Sequence, residues 1–299
     1  MDLLILLMMV LINVAFITLL ERKILGYSQN RLGPNKPSLG GLFQPGADAF
    51  KLFFKTYSKI LRIRQILFFV GPIFNLTLML WIWTLVLGGL NIIRFTFSSI
   101  FFITILRLNV YPVFLRGWSS GNKFSIMGAM RSIAQTISYE ISLAVLVFIV
   151  ILYLTSLSLN CINTIKSYFL FVLILPHVIG VWLISRVAET NRAPFDFAEG
   201  ERELVSGFNV EYGAAGFALI FIAEYGRIYF LRHLTALIFL FKINSLGGLT
   251  GVTLAIFLWI WVRRTLPRHR YDLLINLAWK SILPISLSLV ILILRLKLF

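Results

Sequence analysis

Long apolar runs with charged borders dominate this chain. Each run extends over about 20 residues, the length of an α-helix that crosses the hydrocarbon core of a bilayer. The clearest run, 65–93, carries no charge, whereas Arg107 interrupts the third run and two acids lie in the sixth. The pattern predicts an all-α membrane protein, a polytopic bundle of about eight transmembrane helices. The predicted spans are 2–22, 66–90, 95–116, 126–153, 168–187, 204–229, 246–266 and 277–296.

The segment between the first two spans is too long for a simple turn. Lys51, Lys55 and Lys59 recur every four residues, with phenylalanines between them. This spacing predicts an amphipathic helix over about 47–60 that lies in the membrane interface. Such a helix either only seals the bilayer surface or forms a wall where a lipid-like substrate enters.

Composition supports the membrane assignment and narrows the chemistry. Hydrophobic residues make up 59% of the chain, and its mean hydropathy is +0.89. The single cysteine, Cys161, and three scattered histidines provide neither a disulfide nor the ligands of an iron–sulfur cluster. We therefore expect one transmembrane domain over 1–299 that binds no metal or cofactor itself. The first apolar run starts without a basic region before it, so we expect no cleavable targeting signal.

The charge balance indicates topology. The chain carries 28 Lys and Arg against 12 Asp and Glu, a net charge of +16. Inner loops of membrane proteins collect basic residues, and this explains the excess better than nucleic-acid binding does. If the spans alternate in direction, twenty basic residues fall in loops on one side and seven on the other. We expect both termini outside and inner loops at about 22–65, 117–125, 188–203 and 267–276.

Acidic residues concentrate in one segment. Residues 189–212 read ETNRAPFDFAEGERELVSGFNVEY and hold six of the twelve acids. Pro194, Phe195 and Phe197 alternate with the charges, and a fully solvated loop has no need of such side chains. The pattern favours a loop that folds against protein or lines a wet cavity over one that only neutralises neighbouring charges.

Three acids lie well inside predicted spans, namely Glu140, Glu211 and Glu224. A lipid-facing charge at mid-membrane costs roughly 2.5–3.5 kcal/mol, so these side chains should face the bundle interior. Glu211 and Glu224 are separated by roughly 20 Å along a helix and cannot share one pocket. Such acids either form a chain of titratable groups or pair with arginines and fix helix packing.

Long motifs carry a family resemblance. These motifs are long and specific to one family. They are the acidic segment, ERKILGYSQNRLGPN at 21–35, AQTISYE at 134–140 and PRHRYD at 267–272. With these motifs the chain resembles the chain 1 family of NADH:ubiquinone oxidoreductase (respiratory complex I) over nearly its whole length. The short ends resemble the mitochondrially encoded form.

The resemblance implies that the chain anchors the peripheral electron-transfer arm, forms much of a ubiquinone access cavity and couples quinone reduction to proton translocation. It implies no catalytic residue in the strict sense. The implied quinone-cavity residues are Arg22, Asp48, Arg131, Arg192 and Arg270. The implied inner acidic loop contains Glu189, Asp196, Glu199, Glu201 and Glu203. The implied proton path contains Glu140, Glu189, Glu211 and Glu224.

Cofactors and partners follow from the same resemblance. Ubiquinone is the implied substrate, and NADH, FMN and iron–sulfur clusters are implied on partner subunits. The implied partners are peripheral quinone-module subunits, small membrane-arm subunits and membrane lipids, with no nucleic acid. The implied location is the mitochondrial inner membrane, with the long loops in the matrix and both termini in the intermembrane space. The chain would act as one subunit of a proton-translocating NADH:ubiquinone reductase.

Three positions depart from the family pattern. Thr56 follows the lysine where an acid is usual, Gly46 replaces a larger residue, and Arg107 lies within a span. Two other functions remain open from the residues, a membrane anchor of a related hydrogenase and a free-standing proton-coupled carrier.

Overall fold

The computed structural model describes residues 2–56, 64–89, 96–154, 156–158, 176–196, 207–240 and 246–298, and every regular element in these ranges is a helix. The α-helices are α1 Asp2–Ser28, α2 Gln44–Phe54, α3 Gln65–Gly89, α4 Ser98–Leu108, α5 Val110–Ser119, α6 Lys123–Leu154, α7 Pro176–Glu189, α8 Ala214–Thr235, α9 Leu246–Thr265, α10 Tyr271–Leu277 and α11 Leu283–Leu298. Short 3-10 helices occupy Leu39–Gly41 and Gly207–Asn209, and π-helical turns occupy Ala236–Leu240 and Ala278–Ile282.

The predicted all-α membrane architecture is confirmed. Six helical stretches among the described residues are long and apolar enough to cross a bilayer. They are Asp2–Ser28, Gln65–Val86, Ser98–Ser119, Lys123–Tyr153, Ala214–Phe239 and Tyr271–Lys297. The third stretch combines α4 and α5, which join at Asn109. Part of the predicted fifth span, 168–175, lies outside the described residues.

Two predicted helix limits are wrong. The sixth span does not continue through Glu211, because Gly213 adopts an extended conformation and α8 begins only at Ala214. The interfacial helix ends at Phe54 because Lys55 is extended, with φ −68° and ψ 130°. The third predicted lysine of its repeat, Lys59, lies outside the described residues. Glu211 therefore sits before the transmembrane helix and not in it.

Helix α8 lies at the centre of the bundle. It packs against α1, α2, α3 and α9, and its residues Ala223 and Leu231 have no exposed surface. The indole nitrogen of Trp83 on α3 donates to the Gly226 carbonyl oxygen at 3.2 Å. Any charged side chain on this helix is therefore placed among protein groups rather than lipid.

The departures from the family pattern lie on outer surfaces. Gly46 has no atom within 4 Å of the place where a Cβ would lie, and Thr56 is exposed just after α2. Arg107 is in the last turn of α4 and is also exposed. Of the three, Arg107 still interacts electrostatically with an interior residue, Glu140.

One glycine contact ties α6 to the segment before α8. A Cβ on Gly128 would lie 2.8 Å from the Cα of Gly207 and 3.0 Å from the Phe208 nitrogen. Both neighbours are backbone atoms, and Gly207 has a φ of 56°. The close approach depends on a residue without a side chain at position 128.

We predict that Gly128→Ala destabilises the assembled protein by roughly 1–3 kcal/mol, because the new methyl overpacks backbone that cannot rotate away. Gly180→Ala is the matched control, since this helical glycine has nothing within 4 Å of its Cβ direction. Thermal inactivation of membrane preparations measures the difference. Equal inactivation temperatures for the two variants would contradict the packing role.

Candidate functional site

Glu224 on α8 is the centre of an ion-pair cluster. The Nη2 atom of Arg192 lies 3.0 Å from one carboxylate oxygen, and the Nη1 atom of Arg116 lies 3.6 Å from the other. Arg116 is 2% exposed and also stacks over the Phe208 ring at 4.6 Å. The carboxylate thus has cations on two sides, from α5 and from the loop after α7.

Glu189 and Glu140 form a second, less paired group. Glu189 ends α7 at 2% exposure, and neither of its carboxylate oxygens accepts a hydrogen bond in the described part of the chain. Glu140 on α6 is 8% exposed and interacts electrostatically with Glu189. An ionised carboxylate in such a place requires nearby cations or water.

Arg227 links the two acidic groups. It interacts electrostatically with Glu189, Glu224 and Glu140. It also borders a polar cavity of about 30 Å³ that Glu189 and Glu224 both line. Since one water occupies roughly 10–15 Å³ on this measure, the cavity has room for two.

Residues 190–196 fold against α6. The Gln135 side-chain nitrogen donates to the carbonyl oxygens of Ala188 at 2.9 Å and Phe195 at 3.0 Å. Phe195 is 6% exposed and stacks on His269 with 5.4 Å between ring centroids. This agrees with the prediction of a loop folded against protein, whereas Phe197 lies outside the described residues.

Glu21 is a buried acid that our reading of the sequence missed. Its carboxylate accepts a hydrogen bond from Tyr225 at 2.9 Å and pairs with Arg263 on α9. At 6% exposure it belongs with the interior acids. It stands first in the ERK motif, where an acid at the border of an apolar run could have signalled it.

Four arginines that stand at or just beyond the ends of predicted spans were counted with the loop residues in the charge balance, and all four lie in helices. Arg227 and Arg232 are on α8, Arg116 is on α5 and Arg186 is on α7. Arg186 and Arg232 are 0% and 2% exposed, and each guanidinium lies over a tryptophan ring, Trp182 and Trp259 respectively. Apolar residues flank these arginines in the sequence. The helices that carry them end later than the predicted limits at 116, 187 and 229.

A larger apolar cavity lies between α1, α2 and α8. Its volume is about 470 Å³, and apolar side chains form most of its wall. At its edge the Nη1 atom of Arg22 donates to the Asp48 carboxylate at 2.6 Å. The size is that of pockets that hold drug-sized ligands.

The remaining candidate residues are dispersed. Arg131 lies over the Tyr271 ring at 5.9 Å, and Arg270 is exposed beside Asp272 at 3.4 Å. Glu211 accepts a hydrogen bond from Asn122 at 3.0 Å, and Asp196 is partly exposed in the loop after α7. Only Arg22 and Asp48 of the implied quinone-cavity set line the apolar cavity. Glu199, Glu201 and Glu203 lie outside the described residues.

Comparison with known proteins assigns the family. The NADH dehydrogenase family matches residues 1–294. The chain belongs to this family. NADH-ubiquinone oxidoreductase chain 1 of Aedes aegypti is 46% identical over 297 residues, covering 99% of this chain and 95% of the relative. The Anopheles quadrimaculatus protein of the same name is 47% identical over 298 residues, with coverage of 99% and 95%. The Paracentrotus lividus protein of that name is 43% identical over 288 residues, with coverage of 93% and 89%.

We predict that Gln135→Leu loosens the loop at 190–196. The substitution keeps side-chain bulk but removes two hydrogen bonds, each worth about 1 kcal/mol. Amide hydrogen exchange of 188–196 should therefore rise by roughly tenfold or more, and Ser132→Ala is the matched control. Ser132 is equally buried on α6, and among the described residues its hydroxyl bonds only to the Ala129 carbonyl of its own helix. Unchanged exchange in Gln135→Leu would show that other contacts hold the loop.

Proposed function

We propose that this chain is a membrane-arm subunit of NADH-ubiquinone oxidoreductase that admits ubiquinone and couples its reduction to proton translocation. The family membership and relatives named for that enzyme over 99% of this chain support the assembly. The observation that carries the site assignment is the position of Arg192. Its guanidinium lies 5.4 Å over Phe221, which lines the apolar cavity, and 3.0 Å from Glu224. The apolar cavity and the acidic cluster thus meet at one residue.

The apolar cavity suits the isoprenoid tail of a quinone. Leu52 and Phe53 of α2 contribute one wall, and Phe53 is 53% exposed at the outer surface. An interfacial helix with an exposed apolar side gives a lipid-soluble substrate a route from the bilayer. The Arg22–Asp48 pair places polar groups at the edge of the same cavity.

The interior acids suit coupling to protons. Reduction of a quinone by two electrons takes up two protons at a site away from bulk water. Glu189, Glu140 and Glu224 are carboxylates inside the protein with cations and a cavity for water between them. Groups of this kind exchange protons with one another through short hydrogen-bonded paths.

The electrons come from partner subunits in this proposal. NADH, FMN and iron–sulfur clusters are then carried by the peripheral arm, which the inner loops anchor. The location that follows is the mitochondrial inner membrane, with those loops facing the matrix and both termini facing the intermembrane space. Arg131, Arg270 and the acids at 196–203 then lie on the side of the peripheral arm.

We predict that Ala49→Trp obstructs the apolar cavity that Ala49 lines on α2. The KM for a long-tailed ubiquinone should rise by about tenfold, equivalent to ~1.4 kcal/mol of lost binding, while a short-tailed analogue is less affected. Ala47→Trp adds the same ring at an exposed position of α2 that does not line the cavity. Steady-state kinetics in native membranes measure both, and equal KM values would contradict tail binding here.

We predict that Glu189→Gln slows ubiquinone reduction and proton pumping together, by on the order of 100-fold, because the amide cannot carry the proton. NADH oxidation with a water-soluble acceptor should remain normal and reports an assembled peripheral arm. Asp2→Asn neutralises an exposed carboxylate at the start of α1 and should change neither rate. Wild-type coupled turnover in an assembled Glu189→Gln complex would remove Glu189 from the proton path.

A further inference from the structure

Arg227 on α8 is a partly buried cation whose guanidinium donates to two neutral side-chain amides. Its Nη2 atom donates to the Asn75 side-chain oxygen on α3 at 2.9 Å and to the side-chain oxygen of Asn109 between α4 and α5. Asn75 is 1% exposed and Asn109 is 4% exposed. No carboxylate of the described residues lies within the 4.0 Å ion-pair distance of Arg227.

This arrangement is costly if its only purpose is stability. A buried guanidinium is best compensated by a direct carboxylate partner with further hydrogen bonds. Here Glu189 and Glu224 interact electrostatically with Arg227 yet form no direct ion pair with it. Glu224 already has Arg116 and Arg192 as ion-pair partners, whereas both carboxylate oxygens of Glu189 lack a hydrogen bond in the described part.

The space between these groups permits movement. The cavity of about 30 Å³ is bordered by Arg227, by both acids and by Asn75, whose side-chain nitrogen has no hydrogen-bond partner among the described residues. Its two-water volume can hydrate a guanidinium that leaves the amides. Arginine is always protonated, so it supplies charge here and does not carry the proton.

We infer that Arg227 is a positioning residue that serves as a shared, movable counter-charge for Glu189 and Glu224. When Glu189 loses its proton, its carboxylate becomes negatively charged and the Arg227 guanidinium turns toward that carboxylate. When Glu189 regains the proton, the guanidinium returns to Asn75 and Asn109. Electroneutrality in the cavity is thereby kept while the proton moves on. This inference rests on the proposed proton path and adds a residue to it.

The test uses the assembled complex in native membranes. Arg227→Gln removes the charge and should lower coupled ubiquinone reduction by about tenfold, while Arg227→Lys should restore at least half of the wild-type rate. Asn75→Asp provides a fixed carboxylate where the amide now accepts from Arg227. A movable counter-charge predicts that this variant assembles and resists heat at least as well as wild type but turns over about tenfold more slowly. A purely structural arginine predicts normal turnover in the same variant.

The outcomes separate the two claims. Normal turnover in assembled Asn75→Asp overturns the inference, and so does a failure of Arg227→Lys to restore what Arg227→Gln loses. If Arg227→Gln does not assemble, the test uses Arg227→Lys and Asn75→Asp. The turnover rate and thermal stability of each are then compared with those of wild type. If these variants act normally while Glu189→Gln is slow, the proton path stands without Arg227. If Glu189→Gln is normal as well, the proposed coupling function fails.

Discussion

The cost of placing charge inside a bilayer governs this structure. Helix α8 carries Glu224, Arg227 and Arg232 in little more than two turns, and no lipid-facing position tolerates them. The helix is therefore stable only where other helices enclose it. Its neighbours provide the compensation, since α5 contributes Arg116, the loop after α7 contributes Arg192, and α3 contributes Asn75. The central place of α8 is a consequence of its charges as much as of its apolar residues.

The same constraint explains why cavities of unlike character lie near one helix. Phe217 and Phe221 turn toward α1 and α2, where the apolar cavity lies, and Glu224 and Arg227 border the polar one. An apolar cavity and a set of titratable groups need opposite environments, and different residues of α8 line each of them. Arg192 contacts both sides through its ring contact with Phe221 and its ion pair with Glu224.

Apolar runs and their borders were sufficient to predict the helical membrane fold, because spanning length is set by bilayer thickness. They also located Glu140 and Glu224 in the interior, since a charge within a span has few other options. They did not predict that Arg116, Arg186 and Arg232 are buried, because these residues stand at or beyond the ends of predicted spans and were counted with the loop residues. Whether such a residue is buried depends on neighbouring helices, and linear hydropathy contains no information about them. The family resemblance placed Asp48 and Arg22 in one set of cavity residues but did not imply their ion pair, whose geometry depends on where α2 folds back.

Helix α6 has a mechanical property that none of its individual contacts conveys. The Gln135 side chain donates hydrogen bonds to two backbone carbonyls, one at the end of α7 and one in the loop that follows. Glu140 is five residues further along the same helix, a rise of roughly 7.5 Å. Over such a length an α-helix behaves as a stiff rod. A displacement of the loop is therefore transmitted along α6 to the Glu140 carboxylate rather than lost as local bending. Helix α6 thus connects the loop, which Gln135 holds, mechanically to the carboxylate of Glu140.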